Sequence, residues 1–241
     1  HMSTLSALLG LSRGSAVSVI GCGGKSSIIQ LLAAQNNGGK VLVSPTTKIL
    51  MPQSGNVYFG EGASAHTPQT GIQYLGTAAN RGKKLAALPT AMLAAAVQKG
   101  YNFTLMEADG SRGLPCKGWL PNEPVVPAFT THTVGVVPAY ALGLVATGQN
   151  VLRLPQFLVL TGLAEGGTIT ATALAHMIAA PCGMFKNAVG KKALIVNQTD
   201  RPGGLQAAQK IIDTIQQRYP QHIQNYIFGS AKTNTWTQIP H

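Results

Sequence analysis

The chain has 241 residues, 45% of them hydrophobic and 10% charged, with 28 glycines spread along its length. That balance excludes a disordered chain, and no run approaches the roughly 18 uninterrupted apolar residues of a membrane helix, so no membrane partner is expected. The formal charge of +11, from 18 basic and seven acidic residues, invites a nucleic-acid partner, but the basic residues never exceed two in a row and aromatic residues make up only 6%, which argues against a basic tract or a stacking platform.

Cys22, Cys116 and Cys182 form no Cys-x-x-Cys pair and read as free thiols of a cytoplasmic protein. His1-Met2 reads as a tag remnant, and residues 3–241 are expected to form one α/β domain. In chain order, Ala16 to Ile20 is apolar and β-branched enough for a buried strand, and three glycines then lead into a helix over Ser26 to Gln35. Lys40 to Pro45 repeats the strand signal, and Pro-Thr-Thr-Lys, Pro45 to Lys48, begins a loop. From Met51 to Leu88 no period is sustained. Pro89 opens a helix closed by Gly100, and Phe103 to Gly110 reads as a buried strand ending in two carboxylates. A further strand is expected at Val134 to Pro138, Lys191 to Asp200 reads as a strand running into a polar turn, and helices are expected at Leu154 to Leu163, after a Thr170 cap, and at Gly204 to Tyr219. A strand at Ile223 to Ser230 is expected to close the sheet. Such alternation predicts a mostly parallel sheet with helices on both faces.

The chemistry concentrates at strand ends. Gly21, Cys22, Gly23, Gly24, Lys25, Ser26 and Ser27 end like the phosphate-loop pattern G-x-x-x-x-G-K-[ST], although Val19 holds the slot of the first glycine. Glycines let backbone N–H groups approach an anion, Lys25 offers a point charge, and Ser26 offers a hydroxyl to Mg²⁺. The rival reading is a dinucleotide fingerprint, with Ser26 in place of its third glycine. No acidic residue occurs before Glu61 to bind a ribose. A plain tight turn is the bland alternative.

Glu107 and Asp109 in Glu-Ala-Asp-Gly suit a metal-holding strand end, with an Asp-Gly turn as the plain alternative. Thr46, Thr47 and Lys48 could reach phosphate or Mg²⁺ from the same side, or form a solvated proline turn. Val196-Asn197-Gln198-Thr199-Asp200 is similar to the N-K-x-D element that reads guanine, with Gln198 replacing lysine, and an Asn-x-x-Asp turn after a strand is the plain alternative. If it contacts a base, Asp200 accepts from guanine and faces a lone pair on adenine, so GTP is expected to bind at least about tenfold tighter than ATP.

Together Gly21 to Ser27, Ser44 to Lys48, Glu107 to Pro127 and Val196 to Asp200 resemble the YqeC family of accessory proteins for selenium-dependent molybdenum hydroxylases. The most specific stretch is Glu-Ala-Asp-Gly followed by Lys117 and Glu-Pro-Val-Val-Pro, Glu123 to Pro127. The family loop is similar to G-x-G-G-K-[ST]-[ST], which needs no glycine at Val19. Gly118-Trp119-Leu120 departs from the usual Ala-Pro of the family. The resemblance implies a P-loop NTPase-like fold, binding of ATP or GTP with Mg²⁺, and a role in maturing a selenium-containing molybdenum enzyme or its cofactor. Carried over by position, Lys25 and Ser26 serve phosphate and metal, Asp109 the metal, and Thr47, Lys48, Arg112, Lys117 and Glu123 a second ligand. Two activities fit: a Mg²⁺-dependent NTP hydrolase or phosphotransferase, and a nucleotide-gated carrier.

Overall fold

A computed structural model describes residues 3–52, 55–79 and 81–240; His1-Met2 lies outside them. The elements run α1 (Leu5–Leu8), β1 (Ser15–Gly21), α2 (Lys25–Gln35), β2 (Lys40–Pro45), β3 (Lys48–Leu50), β4 (Asn56–Phe59), α3 (Gly60–Ala65), β5 (Gly71–Ala79), β6 (Lys84–Ala86) and α4 (Thr90–Val97). They continue with β7 (Phe103–Glu107), β8 (Cys116–Lys117), β9 (His132–Pro138), β10 (Val151–Leu152), α5 (Leu154–Thr161), α6 (Ala171–Ala179), β11 (Lys191–Asn197), α7 (Gly204–Arg218), β12 (Asn225–Ser230) and β13 (Thr235–Ile239).

Among the described residues, eleven strands form one sheet in the order β13-β12-β11-β9-β1-β7-β2-β5-β6-β3, with β4 also on β5. From β12 to β2 every neighbouring pair is parallel, as are β2–β5 and β4–β5. Antiparallel pairing is confined to the flanks: β13 on β12, and β6 between β5 and β3. This is the expected α/β architecture, a large mostly parallel sheet flanked by helices.

Both faces of the central strands are buried, which is why their sequences read as nearly continuous apolar runs. Successive residues pack in opposite directions. Val17 and Val19 of β1 join Ile28 and Leu32 of α2 and Leu5 of α1 in one core. Ala16 and Ile20 face the other way, Ala16 into a core with Leu93 of α4 and Ile20 into one with Leu174 of α6 and Ile211 of α7. In α7 the buried Ala208, Ile211, Ile212 and Ile215 recur at i, i+3, i+4 and i+7, the stripe of an amphipathic helix. Each fully buried isoleucine there contributes about 1.5–3 kcal/mol of transfer free energy.

The strand at Ile223 to Ser230 does not close the sheet: β13 adds an antiparallel strand beyond it. The segment from Met51 to Leu88, without a sequence period, supplies β4, β5 and β6. Pro89 takes the cap position of α4 rather than its first turn. The Thr170 cap is as expected, its side chain accepting from the Ala173 N–H at 3.1 Å.

Candidate functional site

Parallel pairing brings the carboxyl ends of β2, β7, β1, β9, β11 and β12 to one edge of the sheet. β1 lies between β7 and β9, so the chain departs to both sides of it. Such a reversal opens the crevice in which α/β proteins take ligands.

The glycine loop occupies that point, between β1 and α2. Gly21 has φ 96° and donates its N–H to both oxygens of Asp109, at 3.0 and 3.1 Å. The Cys22 N–H donates to the Val136 carbonyl at 2.7 Å. These two residues thus shape the loop, while among the described residues no acceptor meets the N–H groups of Gly23, Gly24, Lys25, Ser26 and Ser27. Gly24 caps α2 in the left-handed region at φ 117°, and a Cβ there would lie 2.5 Å from the Asn197 amide nitrogen. Glycine is needed for both reasons. Five successive N–H groups without acceptors at a helix N-terminus suit an anion.

Lys25, only 4% exposed, donates to the Gly21 carbonyl at 2.7 Å. Its ammonium lies 3.5 Å from Asp109 and 3.8 Å from Glu107. Burial is the largest influence on it and favours the neutral amine, but the two carboxylates outweigh burial and raise its pKa. The charge therefore stays in place. Burial likewise pushes the Cys22 thiol up to about 12, against the nearby Lys25, so this thiol remains protonated and inert.

β7 ends at Glu107, and Asp109 lies two residues beyond it rather than at the strand end. The two carboxylates separate in environment. Asp109 is fully buried among donors: the Gly21 N–H, the Trp119 indole N–H at 2.9 Å and the Lys117 ammonium at 3.4 Å. Glu107 reaches the loop mouth, where the Ser26 hydroxyl donates to it at 2.8 Å. Burial raises its pKa, opposed by Lys25 and the Ser26 hydrogen bond.

The expected second-ligand residues divide. Lys117, fully buried, bridges Asp109 and Glu123, the latter at 3.3 Å, and Glu123 is paired in turn by both terminal nitrogens of the Arg153 guanidinium. Arg112 and Lys48 are exposed and stand outside this network. The Thr47 hydroxyl is buried without a hydrogen-bond partner. Thr46 donates to the Val125 carbonyl at 2.8 Å, and its N–H to the Glu107 carbonyl at 2.9 Å, tying the end of β2 to that of β7.

On the other flank of α2 lies a cavity of about 580 Å³, lined by Gly24, Ser27, Asn197, Asp200, Ser230 and Lys232 among others. The Asn197 amide spans two elements: its nitrogen donates to the Gly23 carbonyl at 3.0 Å and its oxygen accepts the Ala231 N–H at 3.0 Å. Gln198, in the left-handed region at φ 64°, donates to the same Gly23 carbonyl at 3.1 Å. Asp200 is exposed, and its carboxylate is held below the usual range chiefly by the Ser230 hydroxyl. Sequence reasoning missed Trp119, Ser230, Ala231 and Lys232. The Gly-Ser-Ala-Lys stretch, in which the last long parallel strand ends and turns, was the available signal for the last three.

No helix among the described residues is long and apolar enough to cross a membrane. A model of the YqeC protein family matches residues 17–155, a span that holds the glycine loop, Glu107, Asp109, Lys117 and Glu123. The chain is also 33% identical over 183 residues to the uncharacterized protein YqeC of Escherichia coli (strain K12), an alignment covering 73% of this chain and 72% of that protein. With a family match over more than half its length and a relative of this identity and coverage, the chain belongs to the YqeC family.

Proposed function

We propose that the chain binds a Mg²⁺-nucleoside triphosphate on the loop Gly21 to Ser27 and acts as a nucleoside triphosphatase or phosphotransferase. The observation that carries this reading is the run of five free N–H groups from Gly23 to Ser27, ending at the N-terminus of an 11-residue helix beside a buried, charged Lys25. Aligned peptide dipoles place about half a positive charge there, and the Lys25 ammonium, paired in the resting loop with Asp109 and Glu107, lies beside it for exchange onto a phosphate. Both favour a phosphate.

The donor set fits Mg²⁺. The Ser26 hydroxyl and the Glu107 carboxylate are hard oxygen ligands already 2.8 Å apart, and this ion typically needs only one or two carboxylates, with phosphates and waters completing its shell. Consistent with that economy, no group of three or more His, Cys, Asp or Glu among the described residues could hold a metal unaided. Mg²⁺, when bound, neutralises charge on the phosphate oxygens. Asp109 does other work: committed to four donors, it fixes the loop and orients Lys25 rather than presenting a free ligand. Lys25 neutralises the terminal phosphates, while the free N–H groups orient them.

The family resemblance supports a cytoplasmic role in maturing selenium-dependent molybdenum hydroxylases. The commitment of Asp109 also supports a slower device, a nucleotide-gated carrier for the selenium or molybdenum cofactor, because it leaves Glu107 as the one carboxylate at the loop mouth among the described residues. Calorimetric titration of the protein with Mg²⁺-GTP and Mg²⁺-ATP, repeated with Lys25→Ala, tests the site. Binding by the wild type and a loss of at least about tenfold in the variant are expected, the scale of one charge-assisted contact. Equal binding by both proteins removes the loop assignment. Phosphate release measured on the same samples separates turnover from carriage.

A further inference from the structure

The cavity beside α2 adjoins the proposed phosphate loop: Gly24 and Ser27 belong to both. Phosphates held by the N–H groups of Gly23 to Ser27 leave the remainder of a nucleotide to reach this cavity. Its walls are set by Asn197, 2% exposed, whose amide is tied at one end to the loop and at the other to the turn after β12. Gln198 adds a second tie to the Gly23 carbonyl. Three residues beyond Asn197, Asp200 lines the cavity with the Ser230 hydroxyl beside it and with Arg201 and Lys232 on the same wall. Arg201 is itself seated on the Tyr140 ring, 3.9 Å from its centroid.

An ionised carboxylate only accepts hydrogen bonds. Guanine alone among the common bases offers it two adjacent donors, the ring N1–H and the exocyclic amine. Adenine presents a lone pair at N1, cytosine a lone pair at N3, and uracil a single donor between two carbonyls. The cationic side chains on the same wall suit the guanine carbonyl at C6.

We propose that this cavity is a guanine site, with Asp200 as its specificity-determining residue, so that the nucleotide taken by the chain is guanosine di- or triphosphate. The proposal rests on the phosphate-loop reading above. It assigns Asn197 and Gln198 as positioning residues that couple the base wall to the loop, and adds Ser230 and Lys232 to the site.

The test is equilibrium titration of wild type and Asp200→Asn with the Mg²⁺ complexes of GTP, ATP and xanthosine triphosphate. Wild type is expected to bind GTP at least about tenfold tighter than ATP, since a mismatched polar contact carries that scale. An amide at position 200 keeps one acceptor for N1–H and gains a donor for the C2 carbonyl of xanthine. Asp200→Asn is therefore expected to lose GTP affinity by about tenfold and to gain affinity for xanthosine triphosphate, a gain that misfolding would not produce. Equal binding of GTP and ATP by the wild type overturns the base assignment and leaves the phosphate loop standing. So does an unchanged order of preference in Asp200→Asn. Failure of the wild type to bind any of the three nucleotides overturns the loop reading and the base site with it.

Discussion

Asp109 receives the Gly21 N–H on both oxygens, the Trp119 indole at 2.9 Å and the Lys117 ammonium at 3.4 Å, all shielded from solvent. The Lys117 ammonium also lies 5.7 Å from the centre of the Trp119 ring, within cation–π range. Removing the carboxylate leaves the indole N–H without its acceptor and takes one anion from each of two buried ammonium groups, Lys117 and Lys25. Asp109→Ala is expected to cost about 3–5 kcal/mol, the usual consequence of breaking a buried ion pair from one side. Glu107→Gln removes a charge that burial already disfavours, so its unfolding midpoint in urea should stay close to that of the wild type. Equal losses in the two variants would mean that Asp109 is not the structural carboxylate. The Asp-Gly pair in the sequence announced a turn; it did not announce that the turn folds back under β1. Trp119, ten residues on, closes that fold with its indole N–H on the same carboxylate, a side-chain contact that no local pattern displays.

At the scale of elements, Thr170 shows how much one side chain sets. Its oxygen accepts the Ala173 N–H and thereby satisfies one of the orphan donors of α6. Thr170→Ala should destabilise the protein by about 1 kcal/mol, read as a lower urea midpoint with an unchanged slope; no shift would show that packing alone fixes the start of α6. Helices and strands with a full hydrophobic period were legible: α2, α6, β11 and α7 fall where their patterns place them. β5 was not. Its Gly-Ile-Gln-Tyr-Leu-Gly-Thr-Ala-Ala carries glycine where β6 passes so closely that a Cβ on Gly76 would lie 2.6 Å from the Ala86 carbonyl. The side chains that would announce a strand are the ones this crossing excludes. β13 escaped for the opposite reason, since a flanking strand of mostly exposed residues has no apolar alternation to display. The phosphate-loop candidate was readable because glycine and lysine act locally. The wall formed by Ser230, Ala231 and Lys232 depends on Asn197, which only strand pairing brings near.

Across the whole molecule, two imidazoles, the buried His132 and the half-buried His222, tie stability to pH. Burial lowers the pKa of His132, with Lys191 adding to it, and burial lowers that of His222, with Lys192 adding to it. The Nε2 atom of each ring is buried without a partner, so protonation there would place an unpaired charge inside the fold. Below the ordinary imidazole value of 6.5 the unfolded chain binds protons that the folded chain does not, and stability must fall as pH drops through the interval beneath it. Urea denaturation between about pH 7.5 and 5 should show this decline, and His132→Gln with His222→Gln should flatten it; an unaltered slope would assign the decline to other groups. The excess of 18 basic over seven acidic residues hides a further point about the loop. Lys25 is one of the few cations here that has already spent its charge, on Asp109, Glu107 and the Gly21 carbonyl. An incoming phosphate would therefore not meet a waiting ammonium. It would enter an exchange in which lysine trades one set of anions for another, and the internal set stands ready to reclaim the lysine when the visitor leaves. Departure of a bound phosphate from such a loop would have a built-in competitor, which would make the lifetime of the occupied state, as much as its affinity, a property written into the resting protein.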